Sequence, residues 1–254
     1  MGKVSRDPIF SIGWPVIKWV EKAKNIWVDE EVEKLNSYAV YRYATFAELI
    51  ALTEGRITFQ SPACWPDKYE GLVSKSLFGP KSKFSRVPIV AKCYSLQYQS
   101  EALWQIYRSS GGLARIGIKL HSLIDGLGVA KWPMEGRVFI GRSRYMENSD
   151  IRNEIEAISA PRATEPHSVM EGLLMKRSGF SHENEVRVAF FSDKKTLFKS
   201  QILSCKGFPK RSVTRVLLDP YLPTWQTDEL VKLLKKYAGD DLDVLRSNFD
   251  KDPA

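Results

Sequence analysis

Runs of β-branched and aromatic residues recur along this chain, separated by short amphipathic stretches and by Gly, Pro, Asp and Asn. "YAVYRYAT", "RITFQS", "VPIVAKCYSL", "ARIGIKL", "GRVFIGRSRY", "NEVRVAFF" and "KRSVTRVLLDP" read as strands. Between them lie helical stretches. Thr45 stands as an N-cap with Glu48 three residues on, the spacing of a capping box, and Gly55 is the stop. "SEALWQIYRSSGG" is a short helix, and residues 146–178 are mostly helical around the break "SAPRATEPHS". "TWQTDELVKLLKKYAG" is an amphipathic helix with Thr227 or Asp228 as its cap and Gly239 as its stop. No strict βαβ repeat, GxGxxG or Walker loop occurs. The class is α+β, with a mixed or antiparallel sheet of about six or seven strands.

At the N-terminus, Trp14, Ile17, Trp19, Val20, Ile26 and Trp27 recur at roughly helical spacing, with Pro15 suited to a first turn. Residues 1–36 are therefore expected to form an N-terminal helical extension. Its tryptophan face packs on the core or recruits a protein partner. Residues 37–240 form a single α+β domain, and 241–254 a frayed tail. No run of about 18 apolar residues occurs, so no membrane association is expected. "MGKVSRDPIF" lacks the apolar core of a secretory signal. Cys64, Cys93 and Cys205 are odd in number and form no CxxC, which argues against a disulfide framework or zinc knuckle and for a reducing, cytoplasmic setting. The formal net charge of +8 allows attraction to nucleic acid or to a phosphorylated cofactor. The lysines are scattered, so a mildly basic solvated surface accounts for it equally well.

Several segments fall in a recognisable order: "YRY" (41–43), "GRITFQSPACWPDKYEG" (55–71), "KCYS" (92–95), "ALWQIY" (102–107), "RIGIKL" (115–120), "LLMKRSGFSHENEVRV" (173–188) and "VTRVLLDP" (213–220). This order resembles the bacterial domain family of unknown function 2971 over roughly residues 40–220. Members of that family show a Tyr-Arg-Tyr start, an "FxSPxxFNDPFE" loop, a "CFS" strand and a "YEnEyR" strand. Where the family has Asn-Asp-Pro, this chain has Trp65, Pro66 and Asp67.

The polar residues at strand edges carry the chemistry. In "FSHENEVRVAFF" (180–191), Glu183 and Glu185 share a face if the stretch is extended, with Asn184 and Val186 on the other. Arg42 lies inside an aromatic strand and needs an anionic partner, either a structural carboxylate or a ligand phosphate. An arginine on an early strand, a serine on a middle one (Ser95) and a Glu-x-Glu heading a later one together resemble the Arg–Ser–Glu set of ADP-ribosyltransferase folds. That resemblance implies NAD as cofactor. Arg42 holds its phosphate side, Ser95 braces the nicotinamide pocket, Glu185 contacts the ribose and Glu183 is the companion carboxylate. Tyr43, Trp104, Tyr107 and His182 would complete the cofactor site. It further implies an NAD glycohydrolase or transferase with a protein or nucleic-acid acceptor, acting as a toxin or in antiviral defence.

Four other readings stay open. Arg42 and Glu185 could form a structural ion pair, with Ser95 satisfying backbone. Trp104 and Tyr107, three apart, could be core. Asp67, Glu70, Glu183, Glu185 and Lys176 could surround a divalent ion in a nuclease, although Arg187 stands where a "PD…ExK" pattern has lysine. A non-enzymatic ligand-binding or interaction module is the remaining alternative. His121 and His167 read as solvated loop residues.

Overall fold

The computed structural model describes residues 17–65, 67, 70, 89–158, 166–192, 202–239 and 242–247. Along the chain the elements are β1 (Trp19–Ala23), β2 (Ile26–Asp29), α1 (Glu30–Glu33), β3 (Ala39–Thr45), α2 (Phe46–Thr53), β4 (Arg56–Gln60), β5 (Ile89–Ser95), α3 (Glu101–Ser109), β6 (Gly112–Lys119) and α4 (Leu120–Val129). Then follow β7 (Gly136–Arg142), β8 (Arg144–Met146), α5 (Asn148–Ile158), α6 (Pro166–Leu173), β9 (Met175–Arg177), β10 (Glu185–Ser192), β11 (Ile202–Lys206), β12 (Val213–Leu218), α7 (Thr224–Ala238) and β13 (Val244–Arg246). Among the described residues, eleven strands belong to one mixed sheet, and β8 pairs with β9 in a second. The expectation of about six or seven strands is thus too low. The surplus comes from β1, β2, β11 and β13, runs of three to five residues, too short to display an alternation.

The N-terminal helical extension is also corrected. Its residues form a hairpin, β1 antiparallel to β2 with Trp19 opposite Asp29 and Val20 opposite Val28. Asn25 takes the left-handed conformation at the turn, at φ 65°. Aromatic and β-branched residues on both strands favour a pleated surface over a helix. Trp14 and Pro15 lie outside the described residues.

By contacts the chain forms two units. The first comprises the described residues of Met1–Lys34, Phe59–Cys93 and Met134–Leu203. In it β2 runs parallel to β7, β7 antiparallel to β10, and β10 neighbours β5. All eight positions of β10 are buried, so both its faces are covered. Val169, Met170, Leu173 and Leu174 pack with Phe139, Ala189 and Phe191, and Trp19, Trp27 and Trp65 border that core. Two of the tryptophans of the expected helix thus do pack on core, from strands. His167 is no solvated loop residue, since its ring makes edge contacts with Trp19, Trp27 and Phe139. Gly136 is required by close approach, because a Cβ there would lie 2.1 Å from the Phe191 carbonyl oxygen.

The second unit comprises the described residues of Leu35–Thr58, Tyr94–Pro133 and Ser204–Ala254. β3 and β12 flank β6, both antiparallel to it, and β13 runs parallel to β12 within the stretch read as a tail. Strand alternation divides the side chains between two faces. One face carries Val40, Ile116, Ile118, Val216 and Leu218, all buried. Leu49 and Leu52 of α2 and Leu234 of α7 sit over Ile116 and Val216. The other face carries Tyr43, against which Leu103 and Trp104 of α3 pack. The Thr45–Glu48 capping box forms as expected, and Gly239 ends α7 at φ 93°. Neither Thr227 nor Asp228 caps α7: the helix begins at Thr224, and the Thr227 hydroxyl donates to the Pro223 carbonyl.

Candidate functional site

A buried charge cluster occupies the first unit, built around the head of β10. Glu185 and Arg187 are two apart on that strand and share a face. Glu183 ends the 3-10 turn Ser178–Glu183, and Asn184, in the left-handed conformation at φ 42°, redirects the chain into β10. Lys176 arrives from β9. Its ammonium donates at 2.8 Å to Glu183 Oε2 and at 2.8 Å to Glu185 Oε2, and lies 3.6 Å from Glu70 Oε1. Arg187 donates to Glu185 Oε2 at 3.0 Å, to the Leu173 carbonyl and to Glu70. Its guanidinium stacks over Trp65 at 4.5 Å.

Neighbouring groups hold Glu185 in place. Its backbone N–H donates to the Tyr145 hydroxyl at 2.8 Å, and Ser143 Oγ donates to Oε2 at 3.3 Å. Beside the cluster, Arg177 pairs with Asp67 at 2.9 Å and lies over the Phe180 ring.

Burial by itself raises the Glu185 carboxyl, but Arg187 and Lys176 overcome it and bring the group down to about 2. Burial opposes the Lys176 charge, yet Glu185, Glu70 and Glu183 raise its pKa above the ordinary lysine value. Both groups keep their charge across the physiological range, so this pair does not exchange protons near neutrality. Counted formally, Glu70, Glu183 and Glu185 contribute three negative charges and Lys176 and Arg187 two positive ones, leaving one negative charge. Such a cluster can stabilise a positive charge that develops nearby. Desolvation pushes the thiol of the partly buried Cys93 well above its ordinary value, with Glu185 adding to the rise, which favours the neutral thiol. Among the described residues, no group of three or more His, Cys, Asp or Glu side chains is placed to hold a metal ion.

The other expected site residues fall elsewhere. Arg42 takes a structural carboxylate, with Nη2 at 3.1 Å from Glu48 Oε1, in the same residue that closes the α2 capping box. Ser95 is the register partner of Tyr41, so Arg42, one residue on, projects to the opposite face. Ser95 Oγ accepts the Gln97 N–H at 3.0 Å. Tyr43, Trp104 and Tyr107 do come together: Tyr43 stacks on Tyr107 at 5.1 Å and meets Trp104 edge-on at 4.9 Å. They form the core of their face. His182 is exposed, beside Phe180.

Of the set read for a divalent ion, Glu70, Glu183 and Glu185 gather around Lys176 and Arg187, whereas Asp67 pairs with Arg177. Arg187, Trp65, Tyr145 and Ser143 were not singled out as site residues. Only Arg187 had a sequence signal, its spacing of two from Glu185. Comparison of the chain with protein-family models, curated proteins and solved structures returned no match.

Proposed function

We propose that this protein acts on NAD⁺, breaking the bond between nicotinamide and its ribose, with Glu185 as the stabilising carboxylate and Glu183 as its companion. Breaking that bond builds positive charge on the ribose. An ionised carboxylate in a water-poor setting lowers the energy of that charge. The observation that carries the reading is the charge cluster: Glu185 is held ionised, and its five members keep one net negative charge. Ser95, whose Oγ accepts the Gln97 N–H, lends it no direct support. Arg42 lends no support, being engaged by Glu48 and turned to the other face. Kinship with the domain family of unknown function 2971, and a role as a toxin or antiviral effector, belong to the same proposal.

A second reading is favoured by a specific observation. Arg42, Ser95 and Glu185 each already have intramolecular hydrogen-bond partners, as expected of a non-enzymatic module whose ion pairs serve the fold.

Release of nicotinamide from NAD⁺ by the wild type and by Glu185→Gln separates the two. The first reading expects release by the wild type and a loss on the order of 10²–10³-fold in a variant that remains folded. Absence of release from the wild type, or undiminished release from the variant, sinks it. A melting temperature that responds to Mg²⁺ with DNA and not to NAD⁺ would move the protein to the nuclease class.

A further inference from the structure

Among the described residues, two arginines are almost completely buried, Arg187 at 1% exposed and Arg115 at 3%. Arg187 is enclosed by Glu70 and Glu185. Arg115 faces no carboxylate among the described residues; the groups that act on it are Tyr43, Tyr41 and Tyr98. A guanidinium cannot discharge itself by losing its proton. A buried charge without a counter-charge is costly, so a fold that keeps one generally has an anion for it.

The geometry around Arg115 shows where such an anion fits. The register aligns Tyr43, Arg115 and Leu217 in one row across β3, β6 and β12, and Tyr41, Gly117 and Arg215 in the next. All six side-chain positions share one face. The guanidinium carbon lies 4.7 Å from the centre of the Tyr41 ring and 5.1 Å from that of Tyr98. The Tyr43 hydroxyl is the polar group that acts on it most strongly. Two aromatic rings and one hydroxyl satisfy only part of a fork with five N–H groups.

Beside it opens a hollow of about 190 Å³ lined by Tyr41, Tyr98, Arg115, Gly117, Thr214 and Arg215. Gly117 leaves its floor clear. A Cβ there would already lie 3.4 Å from Tyr41 Cε1 and 3.5 Å from Thr214 Oγ1, so any larger side chain fills the space. Arg215 stands at the exposed rim, paired with Asp243 at 2.6 Å.

We propose that this hollow is an anion site that takes the phosphate group of a small phosphorylated ligand. Arg115 grips two phosphate oxygens with the open side of its fork, Arg215 borders the mouth with its charge shared with Asp243, and the tyrosine rings offer flat surfaces to the rest of the ligand. Guanidinium matches phosphate bidentately, and a phosphate dianion gains more from it than a single carboxylate does. The site uses none of the residues around Glu185 and does not depend on the proposed NAD⁺ chemistry.

Calorimetric titration of the full chain with inorganic phosphate and with pyrophosphate, at constant ionic strength against chloride and acetate, tests it. Saturable phosphate binding by the wild type is expected, weakened at least tenfold in both Arg115→Gln and Gly117→Val. Gly117→Val fills the hollow and leaves every charge in place, so it decides the matter if Arg115→Gln fails to fold. The proposal is overturned if the wild type shows no saturable phosphate binding, if acetate binds as tightly as phosphate, or if folded Gly117→Val binds phosphate undiminished.

Discussion

Replacing Lys176 with methionine removes one of two cations from a buried group that holds three carboxylates. The ammonium lies 2.8 Å from Glu183, 2.8 Å from Glu185 and 3.6 Å from Glu70. At an effective dielectric constant of about 20, each contact near 2.8 Å represents roughly 6 kcal/mol of gross attraction. Most of that is offset by the desolvation of a lysine whose side chain is 7% exposed. The variant, however, leaves three carboxylates facing Arg187 alone, a net charge of two. Breaking a buried pair in this way costs about 3–5 kcal/mol, a large part of the roughly 5–15 kcal/mol that holds a typical domain together.

Glu185→Gln acts in the other direction. It leaves two carboxylates and two cations, so its cost should lie at the lower end of the range for a broken buried pair, about 3 kcal/mol, the value of a carboxyl held at about 2 instead of the ordinary 4.5. Adding Glu183→Gln to Lys176→Met restores the wild-type net charge and should recover about 1–2 kcal/mol. Urea denaturation followed by circular dichroism measures all four proteins. The pH dependence gives a second check. In the wild type the Glu185 pKa is depressed to about 2, so its contribution is complete above the unfolded carboxyl range and is lost as pH falls from about 4.5 towards 2. The gap between wild type and Lys176→Met should therefore narrow in that window. A Lys176→Met cost under about 1 kcal/mol, or one smaller than that of Glu185→Gln, would refute the charge count.

Burial raises the Glu171 carboxyl to about 7 despite Arg144 beside it. A raised carboxyl contributes stability that is complete below the unfolded pKa and is lost as pH rises through about 7. Glu171→Gln should remove up to about 3 kcal/mol of decline between pH 4.5 and 7, read from urea midpoints across that range. Thr45→Ala deletes the hydroxyl that accepts the Glu48 N–H and should lower stability by about 1 kcal/mol in thermal melts, with the sheet unchanged. Gly136→Ala drives a Cβ to 2.1 Å from the Phe191 carbonyl oxygen and 2.6 Å from Phe190 Cζ, and should cost about 3 kcal/mol or prevent soluble expression. A wild-type melting temperature for Gly136→Ala would contradict the close packing of β7 on β10.

How much could be read in advance depended on the range of each interaction. β3, β5, β6, β7, β10 and β12 all fall on runs whose alternation or apolar density spans six or more residues. The capping box was legible because Thr45 and Glu48 are three residues apart. The hairpin at Trp19–Asp29 is not legible locally, because tryptophans at mixed spacing satisfy a helical period as readily as two short strands do, and only pairing with β7 decides between them. At the candidate site, the residue types of Glu70, Glu183, Glu185 and Lys176 marked them as able to carry chemistry. Their partners were not legible: Arg187 finds Glu70 across 117 residues.

The sequence by itself determined which residues are apolar enough to form strands, where the α2 cap lies, and that any buried arginine would need an anion. These follow from local sterics, hydrogen-bond reach and the permanent charge of guanidinium. Tertiary structure alone decided which arginine that requirement falls on. Arg42 finds Glu48 within its own turn of chain, and Arg187 is met by Glu70 and Glu185. Arg115 is carried by strand register to a face where tyrosines surround it and no described carboxylate reaches. Register is set by the hydrogen-bonded pairing of distant strands, and a shift of one residue sends every side chain to the opposite face.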